Sequence, residues 1–184
     1  MKKIVIGLSG ASGSIYGIRL LEKIKEAEIH LIISESAKKV IELETDYDLN
    51  YIKNLADYVY DDSNIAATVS SGSFIFDSYI IIPCSSSTMA KIAVGISDTL
   101  ISRVALVAMK ERRRIIIVPR ETPLSTIMIK NMLALSESGV IIAPAMPGFY
   151  SRPKTVDDMV NSMVGRVMDL AGIENEISKR WSHP

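Results

Sequence analysis

The chain of 184 residues has one cysteine, two histidines and one tryptophan, and its 21 basic residues are matched by 21 acidic ones. Each scarcity removes a class of function. Cys84 alone allows no intrachain disulfide, and an apolar run that begins by Ile4 leaves no room for a signal peptide; both point to a reducing cytoplasm. So few histidines and cysteines also give no reason to expect a metal site. The balanced charge provides no global field to recruit nucleic acid or an anionic membrane, so any anion has to be held locally. No apolar stretch approaches the roughly 18 residues of a membrane span. Internal repeats and low-complexity segments are missing as well, and the length is that of one domain, residues 1–184.

What is present is a set of five short apolar runs, Ile4–Leu8, Ile29–Ile33, Tyr79–Ile82, Ile115–Val118 and Val140–Ala143, each followed by small, polar or charged residues. Between them lie segments with helical spacing: Tyr16–Lys25, Ser36–Leu43, Met89–Ile96, Ser102–Glu111, Ile127–Leu135 and Val156–Leu170. This alternation predicts an α/β fold with a parallel, doubly wound sheet. Residues 45–78 are less regular; the pattern gives a short helix around Leu49–Ala56, a strand near Tyr58–Tyr60 and a loop over Ala66–Ser73. The tail from Ile173 to Pro184, with Trp181, is expected to pack on its own domain or on a neighbour. The apolar fraction of 48% includes nine methionines, a hint of extra apolar surface at subunit contacts.

Ligands of open parallel sheets bind outside the carboxyl ends of the strands, so function is to be read from the loops there. Gly10-Ala11-Ser12-Gly13 opens a helix after the first run, and is either a tight glycine turn without a ligand or a cradle whose N–H groups and helix N-terminus receive a phosphate or other electron-rich group. Gly17 lets that helix approach the sheet closely. The spacing is not that of Gly-x-Gly-x-x-Gly, and Ser34 stands where a dinucleotide fold offers an acid to the ribose, so a mononucleotide fits better than NAD. In Cys84-Ser85-Ser86-Ser87-Thr88 one hydroxyl is expected to cap a helix, and the surplus suits an oxygen-rich ligand such as a ribityl phosphate. Cys84 itself reads as a buried strand-end residue, because neither His30 nor His183 has a route to activate it. Arg120 and Glu121, between Pro119 and Pro123, form either a surface ion pair or a rigid pair that binds a phosphate and moves a proton. Arg103, Lys110, Arg152 and Arg166 are further cations for such a site, Glu44 ends the second helix, and Pro147-Gly148-Phe149-Tyr150 offers a ring and a phenol on a bend.

In order and spacing, Gly10-Ala11-Ser12-Gly13-x-x-Tyr16-Gly17, Glu44-Thr45, Pro83-Cys84-Ser85, Lys110-Glu111-Arg112-Arg113, Val118-Pro119-Arg120-Glu121 and Pro144-x-x-Pro147-Gly148-Phe149-Tyr150 resemble the UbiX-type flavin prenyltransferases, over about Lys3 to Trp181. The resemblance implies a flavodoxin-like Rossmann fold, a three-layer sandwich, and a homododecamer with the active site at subunit contacts. It further implies transfer of a dimethylallyl group from dimethylallyl monophosphate to N5 and C6 of reduced FMN, giving a prenylated flavin for a UbiD-type decarboxylase. Carried over by residue, it puts FMN against Gly10, Ala11, Ser12, Ser34, Ser85, Ser86, Ser87, Thr88 and Arg120. It puts the prenyl phosphate against Lys110, Arg120, Tyr150 and Arg166, with Arg103 nearby. Glu121 is then the acid toward the leaving phosphate, Glu44 serves the C6 proton or orientation, and Ser12 lies near N5. One departure is Ile65, near the place where many relatives carry a tryptophan, so a cation-stabilising ring is missing there.

Two other functions compete. An FMN-dependent cysteine decarboxylase of the same superfamily needs a catalytic histidine, for which neither His30 nor His183 is well placed. A non-catalytic FMN-binding module would explain the hydroxyl loops but not the cations around Arg120.

Overall fold

The computed structural model describes residues 1–177. Six strands form one parallel sheet in the order β3-β2-β1-β4-β5-β6: β1 (Lys2–Leu8), β2 (Ala27–Ile33), β3 (Tyr58–Asp61), β4 (Ser78–Cys84), β5 (Arg114–Pro119) and β6 (Ile141–Ile142). The central runs are continuously apolar because both faces are covered; every residue of β4 is buried. Alternate side chains separate into two cores. Ile4, Ile6 and Leu8 meet α1 (Ser14–Lys23), α2 (Glu35–Glu44), α3 (Leu49–Asn54) and α7 (Val156–Leu170). Val5, Tyr79 and Ile81 meet α4 (Ser86–Ala93), α5 (Leu100–Lys110) and α6 (Thr126–Glu137), with Val69 and Phe76 from the irregular segment. The expected three-layer, doubly wound architecture is thus present, and the strand order reverses between β1 and β4, which opens the crevice for a ligand.

Helix boundaries differ from the periodicity where capping decides them. Thr99 and Ser102 form a reciprocal capping box, so α5 starts at Leu100 and not at Ser102. Ser85 caps α4 by accepting from Thr88 N–H at 3.2 Å, which puts Ser86, Ser87 and Thr88 inside the first turn. The methionines fill the interior more than the surface: Met89, Met128, Met163 and Met168 are buried. Exposed apolar surface comes instead from Ile127, Ile129 and Leu133 on α6 and from Val94 and Ile96 after α4. Ile173 is buried and Asn175 donates to the Gly165 carbonyl, so the described start of the tail lies on α7; Trp181 and His183 fall outside the described residues. No described helix is long and apolar enough to cross a membrane.

Two contacts bring the loops together at the crevice. A Cβ on Gly17 would lie 2.5 Å from the Ile82 carbonyl oxygen, so α1 sits directly on β4, as the glycine led one to expect. Ser9, 1% exposed, joins the two strand ends: its N–H and hydroxyl both donate to the Pro83 carbonyl, at 3.2 and 3.0 Å, and its Oγ accepts from Ser85 N–H at 2.7 Å. Ser9→Ala leaves the Ser85 N–H without that acceptor, and urea unfolding is expected to show a loss of about 1–3 kcal/mol. An unchanged unfolding midpoint would mean that the latch contributes nothing.

Candidate functional site

At the end of β1 the chain turns through Gly10-Ala11-Ser12 into Gly13, the N-cap of α1, whose φ of +96° suits a residue without Cβ. The first N–H groups of a helix need partners, and no side chain of the turn provides one. The partner comes from α2. Ser34 caps that helix, accepting from Ala37 N–H at 3.1 Å, and Ser36 lies so close to Gly10 that a Cβ there would overlap it. Crossing the loop in this way, α2 delivers its last residue, Glu44, to the Gly13 N–H at 2.8 Å. Of the two readings of this turn, a ligand-free glycine turn or a cradle for an electron-rich group, the structure shows a carboxylate of the chain itself at the Gly13 N–H. Burial pushes the Glu44 pKa up, but the Ser12 side chain, the Gly13 and Ser14 N–H groups and the Arg120 charge together hold it below its usual value.

The other edge of the same peptide is held by the opposite charge. Arg120, at the end of β5, donates from Nε to the Ser12 carbonyl at 3.2 Å. A trans peptide directs its C=O and N–H to opposite sides, so Arg120 and Glu44 grip one plane from its two edges. Beside Arg120 opens a cleft of about 400 Å³, lined by Arg120, Glu121, Leu124, Met132, Pro144 and Met146 among others. Glu121 is exposed, and its carboxylate accepts from the neighbouring Thr122 N–H at 3.2 Å. The Ala145 N–H donates to the Pro119 carbonyl at 2.9 Å, which fixes the next loop to this one. In that loop Gly148 makes room for the Tyr150 ring, and both Phe149 and Tyr150 are exposed.

Other candidates have structural explanations. Cys84 is buried, and burial pushes its thiol up to about 12, so no thiolate is available for attack. His30 is 2% exposed and lies 2.9 Å from the Tyr60 hydroxyl and 2.7 Å from Glu28. Among the described residues no group of histidine, cysteine and acidic side chains could hold a metal ion. Two residues at the site carry no local signal in the sequence: Ser9, just before the glycine loop, and Tyr16, which belongs to the quoted motif without a role of its own. Only their three-dimensional neighbours reveal them.

A flavoprotein family model matches residues 1–168. Flavin prenyltransferase UbiX of Thermoplasma acidophilum is 58% identical over 179 residues, which is 97% of this chain and 99% of the relative. The chain belongs to the UbiX family of flavoproteins. A dodecameric FMN-dependent UbiX-like decarboxylase from Escherichia coli O157:H7 superposes with a TM-score of 0.96 at 46% identity, covering 98% of this chain and 100% of that one. AnUbiX (PadA1), solved in complex with FMN and dimethylallyl pyrophosphate, also reaches 0.96, at 42% identity, covering 99% and 98%.

In this UbiX-family chain none of the remaining candidate cations lines the cleft beside Arg120. Arg103 and Lys110 lie two turns apart on the exposed side of α5, with Lys110 at its foot, paired with Glu111 at 2.7 Å and close to Gly72. Arg166 is exposed on α7, across the sheet, roughly 7 Å along the helix from Ala171, whose carbonyl accepts from Ser78 at the base of β4. Arg152 adopts a left-handed φ of 53° and lines a separate hollow with Lys154 and Asp158. One subunit thus brings together Ser12, Glu44, Arg120 and Glu121, and leaves Arg103, Lys110 and Arg166 on two outer faces.

The Glu44 carboxylate links this loop to acid stability. Its folded pKa lies below the ordinary 4.5, so its contribution is complete above about 4.5 and disappears as pH falls through the folded value. Glu44→Gln is expected to be less stable than the parent at pH 7, with a smaller gap at an acid pH below the folded pKa of Glu44. Equal gaps at both pH values, measured by urea unfolding, would contradict a charged cap.

Proposed function

We propose that the chain is a flavin prenyltransferase, which joins the dimethylallyl group of dimethylallyl monophosphate to reduced FMN and yields a prenylated flavin for a UbiD-type decarboxylase. The observation that carries this reading is Arg120, anchored to the glycine loop by one donor and set, with Glu121, on the wall of a cleft of about 400 Å³. The relative solved with FMN and dimethylallyl pyrophosphate supports the flavin and a dimethylallyl phosphate ester as ligands. FMN fits the residues present: Gly10 and Ala11 form a loop without bulky side chains, Ser34 and Ser85 open helices beside it, and Ser86, Ser87 and Thr88 bring the N–H end of α4 to the crevice. When bound and reduced, the flavin supplies the electron-rich atoms that accept the prenyl group.

The residues of the chain then divide the work. Arg120 stabilises negative charge on the phosphate as its bond to the prenyl carbon breaks. Glu121, exposed on the cleft wall, delivers a proton to the departing phosphate. Glu44 is held ionised by its loop, which suits the acceptance of a flavin proton and not its donation. Ser12 lies between the two charged groups, near the position assigned to N5. Phosphate contacts from Tyr150, Lys110, Arg166 and Arg103 require neighbouring copies for those cations that one subunit leaves apart. A closed homododecamer with shared sites provides them, and the dodecameric relative and the exposed Ile127, Ile129 and Leu133 support it. The single buried Cys84 accords with a reducing cytoplasm. The cysteine-decarboxylase alternative gains nothing, since His30 is enclosed.

Anaerobic incubation with reduced FMN and dimethylallyl monophosphate, followed by mass spectrometry of the released flavin, is expected to show the added prenyl group; unmodified FMN alone would end this reading. A parallel arm with the pyrophosphate identifies the donor. In single-turnover kinetics Glu121→Gln is expected to keep FMN and slow prenylation on the order of 10²–10⁴-fold. Arg120→Ala is expected instead to weaken binding of both the flavin and the prenyl phosphate.

A further inference from the structure

Tyr16 stands in the first turn of α1, its N–H donating to the Gly13 carbonyl at 3.0 Å. A Cβ built on Gly13 would lie 3.1 and 3.2 Å from Cδ2 and Cε2 of the Tyr16 ring and 3.8 Å from Arg120 Cγ. The ring and the stem of Arg120 therefore flank the same glycine, and the missing side chain at position 13 is what lets the Tyr16 ring lie so close. Among the described residues, Arg120 has one hydrogen bond to the protein, from Nε to the Ser12 carbonyl. A guanidinium has five N–H donors, so most of its fork is left for a ligand. One hydrogen bond fixes a point and not an orientation; a wall is needed to keep the fork turned toward the cleft.

We propose that Tyr16 is a positioning residue for Arg120, its ring and the Arg120 stem flanking the same glycine so that the ring limits where the stem can swing and keeps the guanidinium available to an anionic ligand without neutralising it. A carboxylate at this position would fix Arg120 as firmly but would compete with a phosphate for the same donors. The Tyr16 phenol stays uncharged: burial raises its pKa, and the Arg120 charge only partly opposes this. The anion is the prenyl phosphate, so the inference rests on the function proposed above.

The test is a double-mutant cycle on affinity for dimethylallyl monophosphate, with the protein loaded with oxidised FMN so that binding is read without turnover. Tyr16→Phe is expected to bind within about twofold of the parent, and Tyr16→Ala about tenfold more weakly, within the range of coupling between residues in contact. In an Arg120→Ala background the Tyr16→Ala change is expected to add nothing further. Far-UV circular dichroism shows that each variant is folded, FMN is held at saturating concentration to offset the weaker flavin binding of Arg120→Ala, and Tyr16→Leu replaces the alanine variant if that one does not fold. Undiminished affinity in Tyr16→Ala, full multiplication of the two losses, or a Phe variant as weak as the Ala variant would each overturn the assignment. If Arg120→Ala alone binds like the parent, the anion role of Arg120 fails, and the inference with it; that result is visible in the single variant and separate from any effect of Tyr16.

Discussion

The peptide between Ser12 and Gly13 is held on its two edges by opposite charges, Arg120 on the carbonyl and Glu44 on the N–H. Everything at the crevice is placed relative to that plane. Glu44 caps α1 from outside its own sequence, Arg120 lines the cleft, and Ser12 sits between the two. The arrangement also separates the charges: with a peptide between them they approach without forming a direct ion pair, so each remains available. A carboxylate kept ionised and a guanidinium kept open match the departing proton and departing phosphate of the proposed reaction.

That plane is only as rigid as the strands behind it. Ser9 bonds β1 to β4 across the point where the strand order reverses, and Gly17 lets α1 lie on the Ile82 carbonyl. Both are small residues in positions where a larger one would separate elements. A crevice at a reversal is widest where its two strands are least connected, so a buried hydroxyl that bonds to both ends controls its width.

The distribution of cations sets the limit of a single subunit. Arg103 and Lys110 belong to one outer layer and Arg166 to the other, with the sheet between them. None of the three lines the cleft beside Arg120, whereas symmetry can place one copy's outer face against another's cleft. Exposed isoleucine and leucine on α6, close to the Met132 and Leu124 wall of the cleft, make that face suited to such a contact.

The five apolar runs and the glycine, proline and hydroxyl residues after them were enough to read the parallel sheet and to place the Arg120-Glu121 loop at a strand end, because strand burial and turn chemistry are written in neighbouring residues. The motif set also marked Glu44, but not what it touches. Its bond to Gly13, 31 positions earlier, depends on how α2 crosses the glycine loop. The same holds for Tyr16 beside Arg120 and for Ser9 between two strands. Local spacing determines which elements form and which end of the sheet carries the chemistry. Only packing decides which charges meet, since a hydrogen bond between distant residues depends on the relative placement of elements, and no local pattern encodes that placement.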